Sequence, residues 1–449
     1  MCRYSQNILA WLKDVLDERF GLSCQLFYED HRLTFCLPGQ PGTIVFDVLQ
    51  SSFLLPTSEF PCALWNARSE CWVPAIESPL PAPAVAKLPS PLIEKQDDNY
   101  LVHYDIIGLI YWMLSRLEEV DNDDVDSHGR FPATASHAFK HDYLERPIID
   151  EWLHILGQVI QRRWPHLTLK KHQFRICLSH DVDIPSRYAY RTAIELSRGI
   201  LRDILDRHDL LSIFRAPWVK ITSGSMISRF DPYNVFDWIM DVSEAHGLIS
   251  AFYFMCGCSD SKRDSDYEIT TSSIRSLMRN IHSRGHEIGL HPSYAAYTQP
   301  ELIVQEANRL WSVCDGEGIH QSNWGGRMHY LRWRHPITLY GWETAGMNYD
   351  SSLGYADRPG FRCGTCFEYP AFDPVEQKIL SLRIRPLIAM DCTVMADRYL
   401  GLGATSEALD RFLTLKDVCQ SVGGVFTLLW HNTSLVFNCD RDLYKEVIS

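Results

Sequence analysis

Three short apolar runs in this chain end in residues that can ligate a metal or move protons. Residues 174–179 lead into His180, Asp181, Val182 and Asp183, residues 287–290 into His291, and residues 425–430 into His431. Runs of this length and content predict strands. Strand alternation then puts Asp181 and Asp183 on one face, with His180 and Val182 on the other. Two neighbouring carboxylates repel each other and so favour a bound divalent cation or a shared proton. A histidine at a strand tip suits either metal ligation or proton transfer. Each signal has a plainer reading: Asp-Val-Asp as a solvated turn, and a lone histidine as a satisfied hydrogen-bonding group. Their recurrence at three strand ends favours chemistry.

The elements that must position these residues begin near residue 174. Strand-like runs at 174–179, 249–255, 287–291 and 425–430 alternate with helical segments, the pattern of an α/β fold with a parallel sheet or barrel. Sites in such folds form at the carboxyl ends of the strands. Upstream, Ile8, Leu9, Trp11, Leu12, Val15 and Leu16 recur at helical spacing among polar residues, predicting an amphipathic helix and not a signal peptide. Short strands follow at 24–28, 33–37 and 43–48, and helices at 106–119 and 148–164. Between them, residues 74–92 are too proline-rich for a helix or central strand and predict an extended surface connection. The expected division is an α+β domain at 1–172 and an α/β domain at 173–449. The first holds no tight catalytic cluster, although residues 127–132 form a polar turn whose role the sequence does not disclose.

The chain has 449 residues, 46% of them hydrophobic and 22% charged, enough to bury a large core. Its formal net charge of -13 argues against DNA or RNA partners. No run offers the roughly 18 apolar residues a membrane span needs, so a cytoplasmic location is expected. The 14 cysteines, in a chain read as lacking a secretion signal, are expected to be thiols.

In order and character these motifs resemble those of the polysaccharide deacetylases, the NodB-type carbohydrate esterase family 4, over about residues 173–435. The resemblance implies a distorted (β/α) barrel. It places Asp181 as general base and Asp183 as metal ligand, with exchange between the two open because the family's paired aspartates are adjacent. Gly285 to His291 matches the lead-in of the second motif and makes His291 a metal ligand. Ala295 stands where a second ligand histidine is expected. Asn323 to Tyr330 resembles the third motif, in which Arg327 orients the base. His329 either replaces the absent ligand or walls the substrate site. The run ending Leu428-Leu429-Trp430-His431 matches the last motif, whose histidine is the general acid. Residues 348–366 are similar to a bacterial branch often encoded beside surface-glycan genes.

What the resemblance implies is hydrolysis of an acetyl group, most simply N-acetyl, on a sugar or glycan precursor, with zinc as the divalent metal and cobalt or nickel fitting the same ligands. Tyr294, Trp324 and Tyr330 are the expected sugar contacts. Two rivals stand beside it: a glycan-binding scaffold without catalysis, because of Ala295, and a metal-independent glycosidase using Asp181 and Asp183. Cys363 and Cys366 form a Cys-x-x-Cys with no partner pair, expected to be a packed loop on the substrate side and not a redox or zinc motif.

Overall fold

In the computed structural model, which describes residues 4–48 and 52–449, the expected amphipathic helix spans Gln6–Phe20. Ser5 caps its start, and the left-handed Gly21 (φ 65°) ends it. The strands β1 (Gln25–Glu29), β2 (Arg32–Cys36) and β3 (Ile44–Asp47) follow within a residue of expectation. The pair β4 (Cys62–Trp65) and β5 (Leu80–Pro83) forms a separate two-stranded sheet, and β6 (Ile93–Gln96) and β7 (Asn99–Val102) complete a five-stranded sheet in the order β1-β2-β3-β7-β6.

Two expectations fail in this region. The middle of the proline-rich run is not on the surface: Leu80, Pro81, Ala82 and Pro83 are all buried in β5, and Trp152 donates its indole N–H to the Pro81 carbonyl at 2.8 Å. Proline is tolerated there because β5 pairs on one edge only. The helix expected over 106–119 stops at Leu114, because Arg116 takes a left-handed turn (φ 54°) that sends its guanidinium inward to Glu118 and Glu119. The helix Ile148–Arg163 matches expectation.

Downstream lies a nine-stranded sheet: β8 (Arg175–Val182), β9 (Ser250–Met255), β10 (Glu287–His291), β11 (Gly325–Gly326), β12 (Tyr349–Asp350), β13 (Tyr369–Asp373), β14 (Lys378–Ile384), β15 (Ala389–Met390) and β16 (Val425–Leu429). Its order is β13-β14-β12-β11-β10-β9-β8-β16-β15, parallel throughout except for β13 against β14. The fold is therefore mixed α/β around a largely parallel sheet. Strands β9 and β16 are buried along their whole lengths, β8 from Leu178 onward and β10 from Ile288 onward, as strands covered on both faces are.

One run of chain, residues 378–390, touches both sides of this sheet. Its first part is β14, beside β12, and its last part is β15, beside β16. Between them the backbone of Leu387 donates to Leu353 and that of Ile388 to Thr427, both at 3.1 Å. The core is continuous from Tyr4 to Ile448. Trp11 stacks on Phe372 at 4.8 Å and donates to the Pro370 carbonyl, fastening the first helix to β13.

Candidate functional site

All the sequence-selected histidines and aspartates lie at or just beyond the carboxyl ends of parallel strands, where the strands stop and side chains can point out over the sheet. Asp181 belongs to β8, and Asp183 follows it by one residue. Both line a cavity of about 430 Å³, together with His291, His329 and His431. Alternation holds as expected: His180 points the other way, stacked on Phe252 at 4.9 Å and donating to the Trp430 carbonyl at 2.6 Å.

Asp183, His291 and His329 converge. His291 Nε2 is 3.1 Å from Asp183 Oδ1, and His329 Nε2 is 3.7 Å from the same oxygen. Each imidazole is held by its other nitrogen. His291 Nδ1 donates to the Arg327 carbonyl at 2.6 Å, and His329 Nδ1 lies 3.0 Å from Asp264 Oδ1. That bonding leaves both Nε2 atoms facing Asp183, the arrangement by which backbone and carboxylate groups orient metal-binding histidines. Asp183 Oδ1 and His291 Nε2 are buried without a satisfying hydrogen bond. Burial alone would raise the Asp183 pKa, but His329, His291 and His431 around it hold the carboxyl well below its usual range. Two imidazoles and a carboxylate with orphaned donor atoms fit a divalent cation.

Asp181 is held apart from this trio. Its Oδ1 accepts from Arg327 Nη1 at 2.8 Å, while Oδ2 lies 3.9 Å from His291. Arg327 is fully buried beneath the site. It is fixed by Ser179, by the Ser351 carbonyl and hydroxyl, and by the Tyr253 ring at 5.1 Å. On the opposite wall His431 Nδ1 is 2.7 Å from Asp391 Oδ1, and its Nε2 points inward, 3.7 Å from Asp183 Oδ2. Burial disfavours charge on His431, but Asp391 outweighs it and lifts the imidazole well above its ordinary value.

The aromatic residues divide. Tyr330 lines the cavity. Tyr294 stands behind it, rings 5.4 Å apart, buried between Arg332 and Arg263 and bonded through its hydroxyl to His128. Trp324 is not among the cavity residues: it precedes β11, at the far end of that strand, and packs edge-on against Trp311. Cys363 and Cys366 also lie away from the cavity. Both are buried thiols, with Cys366 against Asp150 and close to Gly424, at the amino end of β16.

Three contributors escaped the sequence reading. Asp391 follows β15, itself at the end of an apolar run at 387–390, so the strand-end rule that found His431 applied to it as well. Asp264 sits in a polar loop that carries no such signal. Arg130 comes from the unassigned turn at 127–132 and reaches the cavity wall from the other half of the chain. It is bound twice to Asp126 and donates to the Tyr330 carbonyl at 3.0 Å. His128 from the same turn packs 4.9 Å from the Tyr330 ring, and its carbonyl accepts from Arg332 at 2.6 Å. Together these contacts clamp Tyr330 and Leu331, two non-glycine residues in left-handed conformations (φ 62° and 56°) directly after His329.

Residues 63–165 match a family of unknown function, DUF7033. No curated protein sequence matches. Among solved structures, a Mycobacterium smegmatis protein described as a polysaccharide deacetylase is similar with 16% identity and a TM-score of 0.39, covering 62% of this chain and 84% of its own. The PuuE allantoinase is similar with 13% identity and a TM-score of 0.36, covering 64% and 85% respectively.

Proposed function

We propose that this chain is a metal-dependent hydrolase that removes an acetyl group, N-acetyl first, from a sugar or glycan precursor. The observation that carries the reading is the convergence of orphaned Asp183 Oδ1 and His291 Nε2 with His329, between an arginine-held Asp181 and an aspartate-backed His431. On this reading Asp183, His291 and His329 hold the metal, His329 standing in for the histidine that Ala295 replaces. The bound ion, zinc first and cobalt or nickel as alternatives, supplies a Lewis acid for the acyl carbonyl. Asp181 takes a proton from the attacking water, its free oxygen turned to the cavity while Arg327 fixes the other. His431 gives a proton to the leaving nitrogen, and Asp391 keeps it charged and oriented for that step. Tyr330 offers a stacking face for the sugar; Tyr294 acts through it, and Trp324 drops out of the contact set.

The same reading treats the large sheet as a distorted (β/α) barrel closed by the bent run at 378–390, and residues 1–172 as an α+β region that lends it a wall. The glycosidase alternative fits poorly, because Asp181 and Asp183 lie on the same side of the cavity and cannot flank a glycosidic bond from opposite faces. The test is metal content of the purified chain together with acetate release from N-acetylated oligosaccharides. About one equivalent of metal and chelator-sensitive release are expected; absence of both would sink the proposal.

A further inference from the structure

The exposed large apolar side chains of this protein are concentrated in one place. Among the described residues, eleven of the 21 lie between Ile194 and Phe230. This segment contains two helices, Ala193–Arg207 and Ser212–Thr222, joined by a short turn. Their inner faces are already satisfied, because Tyr188, Ala216 and Val219 form a small core of their own with Leu196 and Ile200, separate from the main one. The outward residues are a second apolar set. Ile194, Leu201 and Leu205 recur at helical spacing on the first helix, and Phe214, Trp218 and Ile221 on the second, the latter three 77%, 56% and 80% exposed. An apolar face of this extent needs a cover.

Charge indicates which cover. Residues 193–230 carry six Lys or Arg against four Asp or Glu, an excess of two positive charges in a chain whose net charge is -13. Among the described residues no carboxylate pairs with Arg198, Arg202 or Arg229. Tryptophan, phenylalanine and branched aliphatics exposed along the two helices, with arginines among them, match the interfacial plane of an anionic bilayer, while the acidic remainder of the protein is repelled from it. Neither helix, at 15 and 11 residues, is long enough to cross.

We propose that the hairpin at 193–230 docks the protein onto a negatively charged lipid bilayer. The segment begins at the catalytic cavity, since Arg191 and Glu195 line its rim. Docking therefore brings the cavity mouth to the lipid surface. Taken with the hydrolase reading, on which this further step rests, the substrate is a glycan carried on a lipid and not a free sugar.

The test is co-sedimentation of the full chain with vesicles of phosphatidylcholine alone and of phosphatidylcholine with phosphatidylglycerol. Binding is expected only to the anionic vesicles, weakening as salt is added. The triple variant Phe214→Glu, Trp218→Glu, Ile221→Glu should lose at least tenfold in binding while keeping its circular dichroism, since all three positions are exposed. Arg198→Glu with Arg202→Glu should lose binding similarly, and Phe437→Glu, an exposed apolar position elsewhere, should not. Failure to bind anionic vesicles, or full binding by the triple variant, overturns the proposal. So does a dimer in light scattering that the triple variant dissociates without any vesicle binding, which would make the cover a second copy. Asp181→Asn should bind vesicles as the parent does, so loss of catalysis and loss of docking are read apart.

Discussion

At the scale of single residues the site separates two aspartates that the sequence presents as near equivalents. Arg327 claims Asp181, and the three histidines surround Asp183. Asp181→Asn should therefore cost roughly 10²- to 10⁴-fold in acetate release while metal content stays at the parent's level; parallel loss of metal would transfer the ligand role to Asp181. His329→Ala should weaken metal binding roughly 10- to 100-fold, measured by competition with a chromophoric chelator, and Asp264→Asn should do so more mildly by freeing the imidazole it orients. An unchanged affinity in His329→Ala would make that residue a wall and not a ligand.

At the scale of elements, the turn at 127–132 braces the left-handed residues that follow His329, through Arg130 on the Tyr330 carbonyl and His128 against the Tyr330 ring. Arg130→Ala removes both the Asp126 pairing and the bond to the Tyr330 carbonyl. The expected result is a roughly tenfold loss of metal affinity with the overall fold intact, since a ligand's supporting shell is worth about that much. A second link joins the halves. Glu119 is buried between Arg116 and Arg362, with carboxylate contacts of 2.8 and 2.6 Å. Burial would raise its pKa, but Arg362 and Arg116 prevail and bring it down to about 2 from an ordinary 4.5. Because the folded value lies below the unfolded one, this group's stabilisation is present above pH 4.5 and is lost as pH falls through that value towards 2, an effect on the order of 3 kcal/mol. Urea midpoints should accordingly fall between about pH 5 and 3. In Glu119→Gln that slope should flatten and the midpoint at neutral pH should drop, since two buried guanidiniums lose a partner.

At the scale of the whole molecule, the core runs without interruption from the first helix to the last. Trp11 against Phe372, Glu119 against Arg362 and Arg130 against Tyr330 each cross between residues 1–172 and the rest. Interfaces that are buried and apolar couple unfolding. Calorimetry should show one transition for the full chain; two resolved transitions would mean that these contacts do not bind the halves into one unit.

What the sequence determined by itself was local. Alternation placed Asp181 and Asp183 together, apolar runs located β10 to the residue, and strand ends marked His291 and His431 as candidates, which the fold brings to one cavity. These follow from a chain's immediate neighbours and need no fold. Tertiary structure decided the rest, because it depends on which distant segments meet. The same strand-end logic left Asp391 unrecognised until β15 was seen beside β16. Trp324 looked like a sugar contact until its position at the amino end of β11 took it away from the cavity. The prolines of β5 predicted surface and turned out buried, since a strand paired on one edge only tolerates proline while its side chains still pack inward. Asp264 carries no local mark and Arg130 only that of a polar turn without a readable role, and only the folded chain brings them to His329 and Tyr330. Arg327 and His329, named from the order of the motifs, meet Asp181 and Asp183 only in the fold, where the distant turn at 127–132 braces the backbone that follows His329.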